Sequence, residues 1–252
     1  MSEIICYRSG MSNGYFIKGA DGAIAVDTGA EMGTEPVKRH LEEAGLRPED
    51  IRLIVITHGH VDHFMNVQAF ADVTGAPVIC HEKARMFIEE GLLPDVDFEG
   101  RTKMGKEMWA AQQKKGNPID HAPKGPVNLT FGDEGFDLKP YGIDGTIVYT
   151  PGHSRSCSSV VIGEEAIVGD LFTAPAFTDL VGMTYFQYQG APYEQPQESV
   201  EKLLDMGVRK FWPGHGNPRD DQYVRKALEE EKAGHEMYYS AQELKDAEVR
   251  SA

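Results

Sequence analysis

The feature that most constrains this fold is a buried-strand signal ending in a cluster of ionisable groups, "IRLIVITHGHVDHF", from Ile51 to Phe64. All but Arg52 of "IRLIVI" are apolar, and a continuous apolar run of this length suits a strand covered on both faces. The turn that follows carries His58, His60, Asp62 and His63. A covered strand requires layers of structure on either side of it. A strand-end loop is also where a rigid scaffold places its functional side chains.

The spacing within the turn is chemically informative. His58 and His60 are two apart, so in an extended segment they project to one side and can grip one ion. Gly59 lets the backbone pass close to that ion. Asp62 and His63 follow after the chain has turned, and they address a neighbouring position. Imidazole suits zinc, iron and related first-row ions, and a carboxylate completes a harder second site. The bland alternative is a solvated polar loop.

The surroundings repeat one pattern. "IICYR", "GYFIKG" and "GAIAVDTG" read as short strands, with turn signals at Asn13-Gly14 and Asp21-Gly22. "TEPVKRHLEEAG" reads as a helix with Thr34 as N-cap, Pro36 in its first turn and Gly45 at its stop. A helix from about Asn66 to Val73 leads to the strand "PVIC". Further strands lie around "VNLTF", "TIVYT", "SSVVIG" and "AIVGD", then a helix from about Gln197 to Met206, then "RKFWPGHG". Residues 82–126 read as a helical insertion within one domain spanning 1–252, with Met104, Met108 and Trp109 on one helical face. The acidic tail from Ala227 onward reads as a solvated helical face.

Four ligands do not satisfy two ions, so further donors are expected. "TIVYTPGHS" places His153 after a strand and a Pro-Gly turn, "AIVGDLF" ends a strand at Asp170, and "KFWPGHG" repeats the Pro-Gly-His device at His215. His40, His81, His121 and His235 read as surface or helix residues, and Cys157 as a small packing residue.

With these residues in order, the chain resembles the metallo-β-lactamase superfamily. The motif HxHxDH stands here as residues 58–63, the downstream donors match His153, Asp170 and His215, and an early strand-end aspartate matches Asp27. The resemblance implies an αββα sandwich of two mixed sheets flanked by helices, with the site at one edge. It implies that His58, His60 and His153 hold one metal, that Asp62, His63 and His215 hold a second, and that Asp170 bridges them. Asp27 would orient the ligands. Aspartate rather than cysteine at Asp170 looks like the glyoxalase II and lactonase branch, not the secreted β-lactamases. Histidine at His60 disfavours the flavodiiron type.

The resemblance therefore implies a dinuclear hydrolase, zinc by default with iron or manganese as alternatives. A metal-bridging hydroxide would attack a thioester, ester or lactone carbonyl, with Asp62 orienting the nucleophile or passing a proton to the leaving group. The rival is a mononuclear iron oxidoreductase of the persulfide-dioxygenase type. Tyr185 and Tyr188 lie in an aromatic stretch that reads as a pocket wall or as packing, with a contact between copies of the chain left open.

Composition narrows the partners. A formal charge of −15 repels phosphate backbones and anionic lipid, so a small-molecule substrate is expected and nucleic acid and membrane are not. No apolar stretch approaches the ~18 residues a membrane helix needs. "MSEIICYRSG" lacks a basic stretch followed by an apolar one, and the three scattered cysteines argue against a disulfide framework. A cytoplasmic enzyme is the expectation.

Overall fold

A computed structural model of the chain describes residues 2–93, 98–115, 121–173 and 182–235. Its first sheet contains β1 (Glu3–Ser9), β2 (Ser12–Lys18), β3 (Ala23–Val26), β4 (Ile51–Ile56), β5 (Val78–His81) and, after the short strand β6 (Phe98–Gly100), β7 (Leu129–Phe131). The strands lie side by side as β1-β2-β3-β4-β5-β7; β1 to β3 are antiparallel and β3 to β7 parallel.

The second sheet is built from β8 (Phe136–Asp137), β9 (Thr146–Tyr149), β10 (Ser158–Ile162) and β11 (Glu165–Gly169). After β12 (Phe172–Thr173), β13 (Gly182–Met183) and β14 (Phe186–Tyr188) come its last two strands, β15 (Lys210–Pro213) and β16 (Arg219–Asp220). Their order is β16-β15-β11-β10-β9-β8, and only β11 and β15 run parallel. Outside the sheets stand α1 (Thr34–Glu43), α2 (Val61–Phe64), α3 (Val67–Thr74), α4 (Arg85–Glu90), α5 (Lys103–Lys115), α6 (Gln195–Asp205) and α7 (Asp221–Lys232).

Strand alternation makes this a four-layer sandwich. Ile24 and Val26 of β3 point inward to meet Ile147, Val160 and Ile167 of the other sheet. Ala23 and Ala25 point outward, where small side chains let Val37 and Leu41 of α1 and Phe70 of α3 pack close. On the far side Val161, Val168 and Phe211 meet Val200 and Leu203 of α6 and Val224 and Leu228 of α7. The expected αββα architecture is present. Among the described residues no helix is long and apolar enough to cross a membrane.

Several local expectations are corrected. Asn13 and Gly14 are strand residues of β2; the hairpin turns at Gly10 and Met11, where Gly10 takes φ 67°. Gly33, not Thr34, caps α1. His40 and His81 are buried: His40 stacks on Tyr7, and His81 stacks on Tyr149 and touches Asp133. Residues 82–126 hold α4 and α5, but also β6, which pairs with β14. Met104, Met108 and Trp109 all lie on α5, where Met108 is exposed and Met104 and Trp109 are half-buried. The tail is not wholly solvated, because Glu231 of α7 is buried. Residues 236–252 of that tail lie outside the described residues.

Candidate metal centre

Every sequence-predicted donor arrives at the same edge of the sandwich. The C-terminal ends of the parallel strands β3 and β4 deliver Asp27 and His58. His60 has extended backbone (φ −89°, ψ 141°), and α2 begins after it and carries Asp62 and His63, whose ring comes back to within 4.1 Å of the His58 ring, centroid to centroid. In the second sheet β11 and β15 run parallel, with Gly169 opposite Pro213, so Asp170 and His215 leave adjacent strand ends. His153 follows β9 through Pro151 and Gly152. The two sheets are joined at this edge where Ser158 N–H donates to Thr57 O at 3.0 Å.

The side chains converge in three overlapping groups whose donor atoms lie within 4.8 Å of one another. These are His58, His60 and His153; His58, His63 and Asp170; and Asp62, His63 and His215. Asp170 stands between the others, 3.3 Å from His63 Nε2, 3.5 Å from His153 Nε2 and 3.4 Å from His215 Nε2. Asp62 is 3.1 Å from His215 Nε2, and His60 Nδ1 is 2.8 Å from His153 Nε2. A methyl group at Gly214 would overlap Asp170 Oδ1 and the His63 ring, so glycine is what lets this loop close over the cluster.

Hydrogen bonds behind the rings fix their tautomers. Asp27 Oδ2 accepts from His63 Nδ1 at 2.8 Å and from the Thr57 hydroxyl at 2.8 Å. That hydroxyl faces His58 Nδ1 at 3.1 Å, and Thr57 N–H donates to Asp27 Oδ1. Thr184 Oγ1 lies 2.9 Å from His153 Nδ1, and Met11 O lies 2.7 Å from His215 Nδ1. With Nδ1 occupied as the donor, the neutral rings of His58, His63, His153 and His215 direct Nε2 and its lone pair to the centre.

The electrostatics split the cluster. Burial lowers His58 far below its ordinary value, and it brings His60 to about 3 and His153 to about 4, so these imidazoles stay neutral. Burial also pulls His215 down, but Asp170 and Asp62 outweigh it and hold the group at about 10. His63 is raised against burial by Asp62, Asp170 and Asp27. Burial opposes ionisation of both Asp62 and Asp170, and the histidines beside them nonetheless keep both carboxyls well below the usual range.

The donor set fits divalent cations. Buried polar atoms are normally paired, yet His58 Nε2, His63 Nε2 and Asp170 Oδ1 have no hydrogen-bond partner, and all three face the cluster. A nitrogen- and oxygen-rich set of this kind suits zinc, iron or manganese.

Other sequence readings resolve here too. Cys157 is buried behind the cluster, where it accepts from Ser154 N–H at 3.2 Å, and burial pushes its thiol up to about 12. Tyr188 donates its hydroxyl to Gln195, whereas Tyr185 is buried, hydrogen-bonded to Thr173 and close to the charges of Asp170 and Asp62. The sequence reading missed Asn13, whose side-chain amide donates to Pro213 O at 2.9 Å and Gly216 O at 2.8 Å and so holds the His215 loop. It also missed Ser12, which donates to Asp62 O, and Thr184. The only sequence signal for Asn13 was the dipeptide Asn13-Gly14, which points to a turn instead.

The chain belongs to the metallo-beta-lactamase superfamily, whose sequence profile matches residues 7–215. The probable metallo-hydrolase MJ0888 of Methanocaldococcus jannaschii is 26% identical over 220 residues, spanning 83% of this chain and 89% of the relative. The metallo-beta-lactamase family protein TTHA1429 from Thermus thermophilus shares the fold with a TM-score of 0.61 and 24% identity, over 92% of this chain and 79% of that one. A protein solved as TTHA1623 in a di-iron-bound form superposes with a TM-score of 0.57 and 20% identity, over 86% of this chain and 94% of that one.

Proposed function

We propose that this chain is a dinuclear metal-dependent hydrolase of the glyoxalase II and lactonase type, acting on a thioester, ester or lactone carbonyl. The observation that carries the reading is the set of overlapping donor groups, with the Asp170 carboxylate between the two histidine sets. His58, His60 and His153 would hold one divalent ion, Asp62, His63 and His215 the other, and Asp170 both. The similarity to a probable metallo-hydrolase supports the reaction class, and the di-iron form of TTHA1623 keeps iron beside zinc and manganese as the metal. When bound, such ions polarise a carbonyl and lower the pKa of water towards neutrality.

The chain's own groups do the rest. Asp62 is half-buried with one oxygen on His215, and its carboxylate is placed to orient an attacking water or to pass a proton to the leaving group. A small recess adjoins His60, walled by Gly59, Phe87, Ser154, Ser156 and Tyr188, with Lys83 and Arg155 at its rim. It receives the part of the substrate beyond the scissile bond. Neither Met104, Met108 nor Trp109 lines this recess. Protein of known metal content should be assayed against thioesters, lactones and phosphodiesters. Hydrolysis of a carbonyl substrate is expected; oxygen consumption with a single iron and no hydrolysis would replace this reading with the dioxygenase one.

A further inference from the structure

We infer that Arg101 is a positioning residue for His153, acting through Thr184, and that buried Glu231 holds Arg101 in place. The inference rests on the reading of His153 as a metal ligand. Arg101 directly follows β6, and its side chain is sealed from solvent. Its guanidinium donates from Nη1 to Thr184 O at 3.1 Å, from Nε and Nη2 to Tyr193 O at 3.0 and 2.9 Å, and from Nη2 to Glu231 Oε1. It lies over the Tyr193 ring, 4.0 Å from the centroid, and Gln197 donates to the same Glu231 oxygen at 2.9 Å. One cation therefore ties the segment after β6 to Thr184, to Tyr193 just ahead of α6, and to α7.

Thr184 is what that cation secures. Its N–H donates to Leu171 O, the residue after Asp170, at 3.2 Å, and its carbonyl accepts from Arg101. Its hydroxyl donates to Phe186 O at 2.9 Å, which leaves a lone pair to accept from His153 Nδ1 at 2.9 Å. The only proton of the hydroxyl is thus committed, His153 Nδ1 must be the donor, and Nε2 presents its lone pair to the cluster. Arg101 N–H also donates to Tyr185 O at 2.9 Å, and α5 lies against that carbonyl at Gly105, where a methyl group would overlap it. Thr184 is consequently fixed at every polar atom and cannot follow His153 if the ring tilts.

A buried ion pair is a weak source of stability, because desolvation offsets most of the attraction. Its geometry is another matter: a planar fork bonded to two carbonyls and a carboxylate fixes three chain segments at once.

The test is zinc affinity of the full chain, measured by chelator competition, with the cobalt(II) absorption spectrum as a second readout. Thr184→Val removes the hydroxyl at constant shape and should weaken zinc binding at least about tenfold, and Thr184→Ser should restore it. Arg101→Lys keeps the charge opposite Glu231 but loses the fork; it should weaken binding and shift the cobalt spectrum. If Arg101 acts through Thr184, the Arg101→Lys, Thr184→Val double variant loses no more than Thr184→Val alone. Should Arg101→Lys fail to fold, Glu231→Gln takes its place in the cycle. Losses that add, or Arg101→Lys with lowered urea resistance but wild-type zinc affinity and cobalt spectrum, would overturn the inference. Wild-type protein that binds neither ion would overturn the metal-ligand reading as well, which separates the two failures.

Discussion

Asp27 and His63 meet at 2.8 Å, Oδ2 to Nδ1, with both side chains wholly sealed from solvent. Asp27 reaches this contact at φ 58°, the one positive φ among the described non-glycine residues. Backbone in that region costs on the order of 1–3 kcal/mol and persists only where its surroundings enforce it. Here Thr57 and His63 do so, and the strained residue sits behind the ligands rather than among them.

Asp27→Asn should therefore cost metal affinity more than fold. Asparagine keeps the shape but accepts on one side only: with its oxygen toward His63 and the Thr57 hydroxyl its NH2 faces the Thr57 N–H, and flipped it offers those two donors no acceptor. Zinc binding should weaken about 10- to 100-fold, read by chelator competition. Unchanged affinity would mean that His63 needs no partner to present Nε2.

Metal content should approach two ions per chain in protein purified without chelator and supplemented with zinc. Removing the ions should abolish hydrolysis, and returning them should restore it. A stoichiometry that stays at one with full activity would sink the dinuclear reading.

Asp170→Ala and His235→Ala should behave oppositely. Asp170 lies within 3.5 Å of three histidines, and its loss removes one of the carboxylates that balance raised His63 and His215. Activity should vanish and metal retention fall. His235 is exposed and touches only Glu230 among the described residues, so its loss should stay within about 0.5 kcal/mol. Equal effects on metal content would show that the centre has been misplaced.

His81 should make the fold sensitive to mild acid. Burial pushes its imidazole below the ordinary value, Lys83 adds to this, and Asp133 opposes it. As pH falls through about 6.5 the unfolded chain takes up a proton that the folded chain refuses, so stability falls with it. His40 is lowered by burial in the same direction, so the clean measurement is a comparison. Urea unfolding of metal-loaded wild type and His81→Asn at about pH 7.5 and about pH 5.5 should show the flatter dependence in the variant. Identical slopes would remove His81 from the account.

The fold was readable where one physical signal dominated locally. "IRLIVI" became β4 with its predicted ends, because a run of apolar side chains has few places to go but between two layers. The convergence of the candidate donors was readable because each stands at a strand end beside a glycine or a short turn. What supports them was not. Asn13 acts on a loop 200 residues away, Arg101 on Glu231 130 residues away and on Thr184 83 residues away. None of these pairings leaves a periodic trace in the chain. Asn13-Gly14 misled for a related reason: Gly10 had already made the turn, and the asparagine was needed for its amide.

The grip of Asn13 on residues 213 and 216 also bears on how each molecule is made. His58, His60 and Asp62 leave the ribosome long before Pro213 does, so a growing chain carries donors without the loop that completes their cage. Closing so long a stretch costs only slightly more than closing a short one, since that cost rises with the logarithm of length. The delay is therefore set by translation and not by the search for contacts. On the dinuclear reading, the set Asp62, His63 and His215 would stay incomplete until the His215 loop is made and gripped by Asn13, whereas His58, His60 and His153 are all in place earlier.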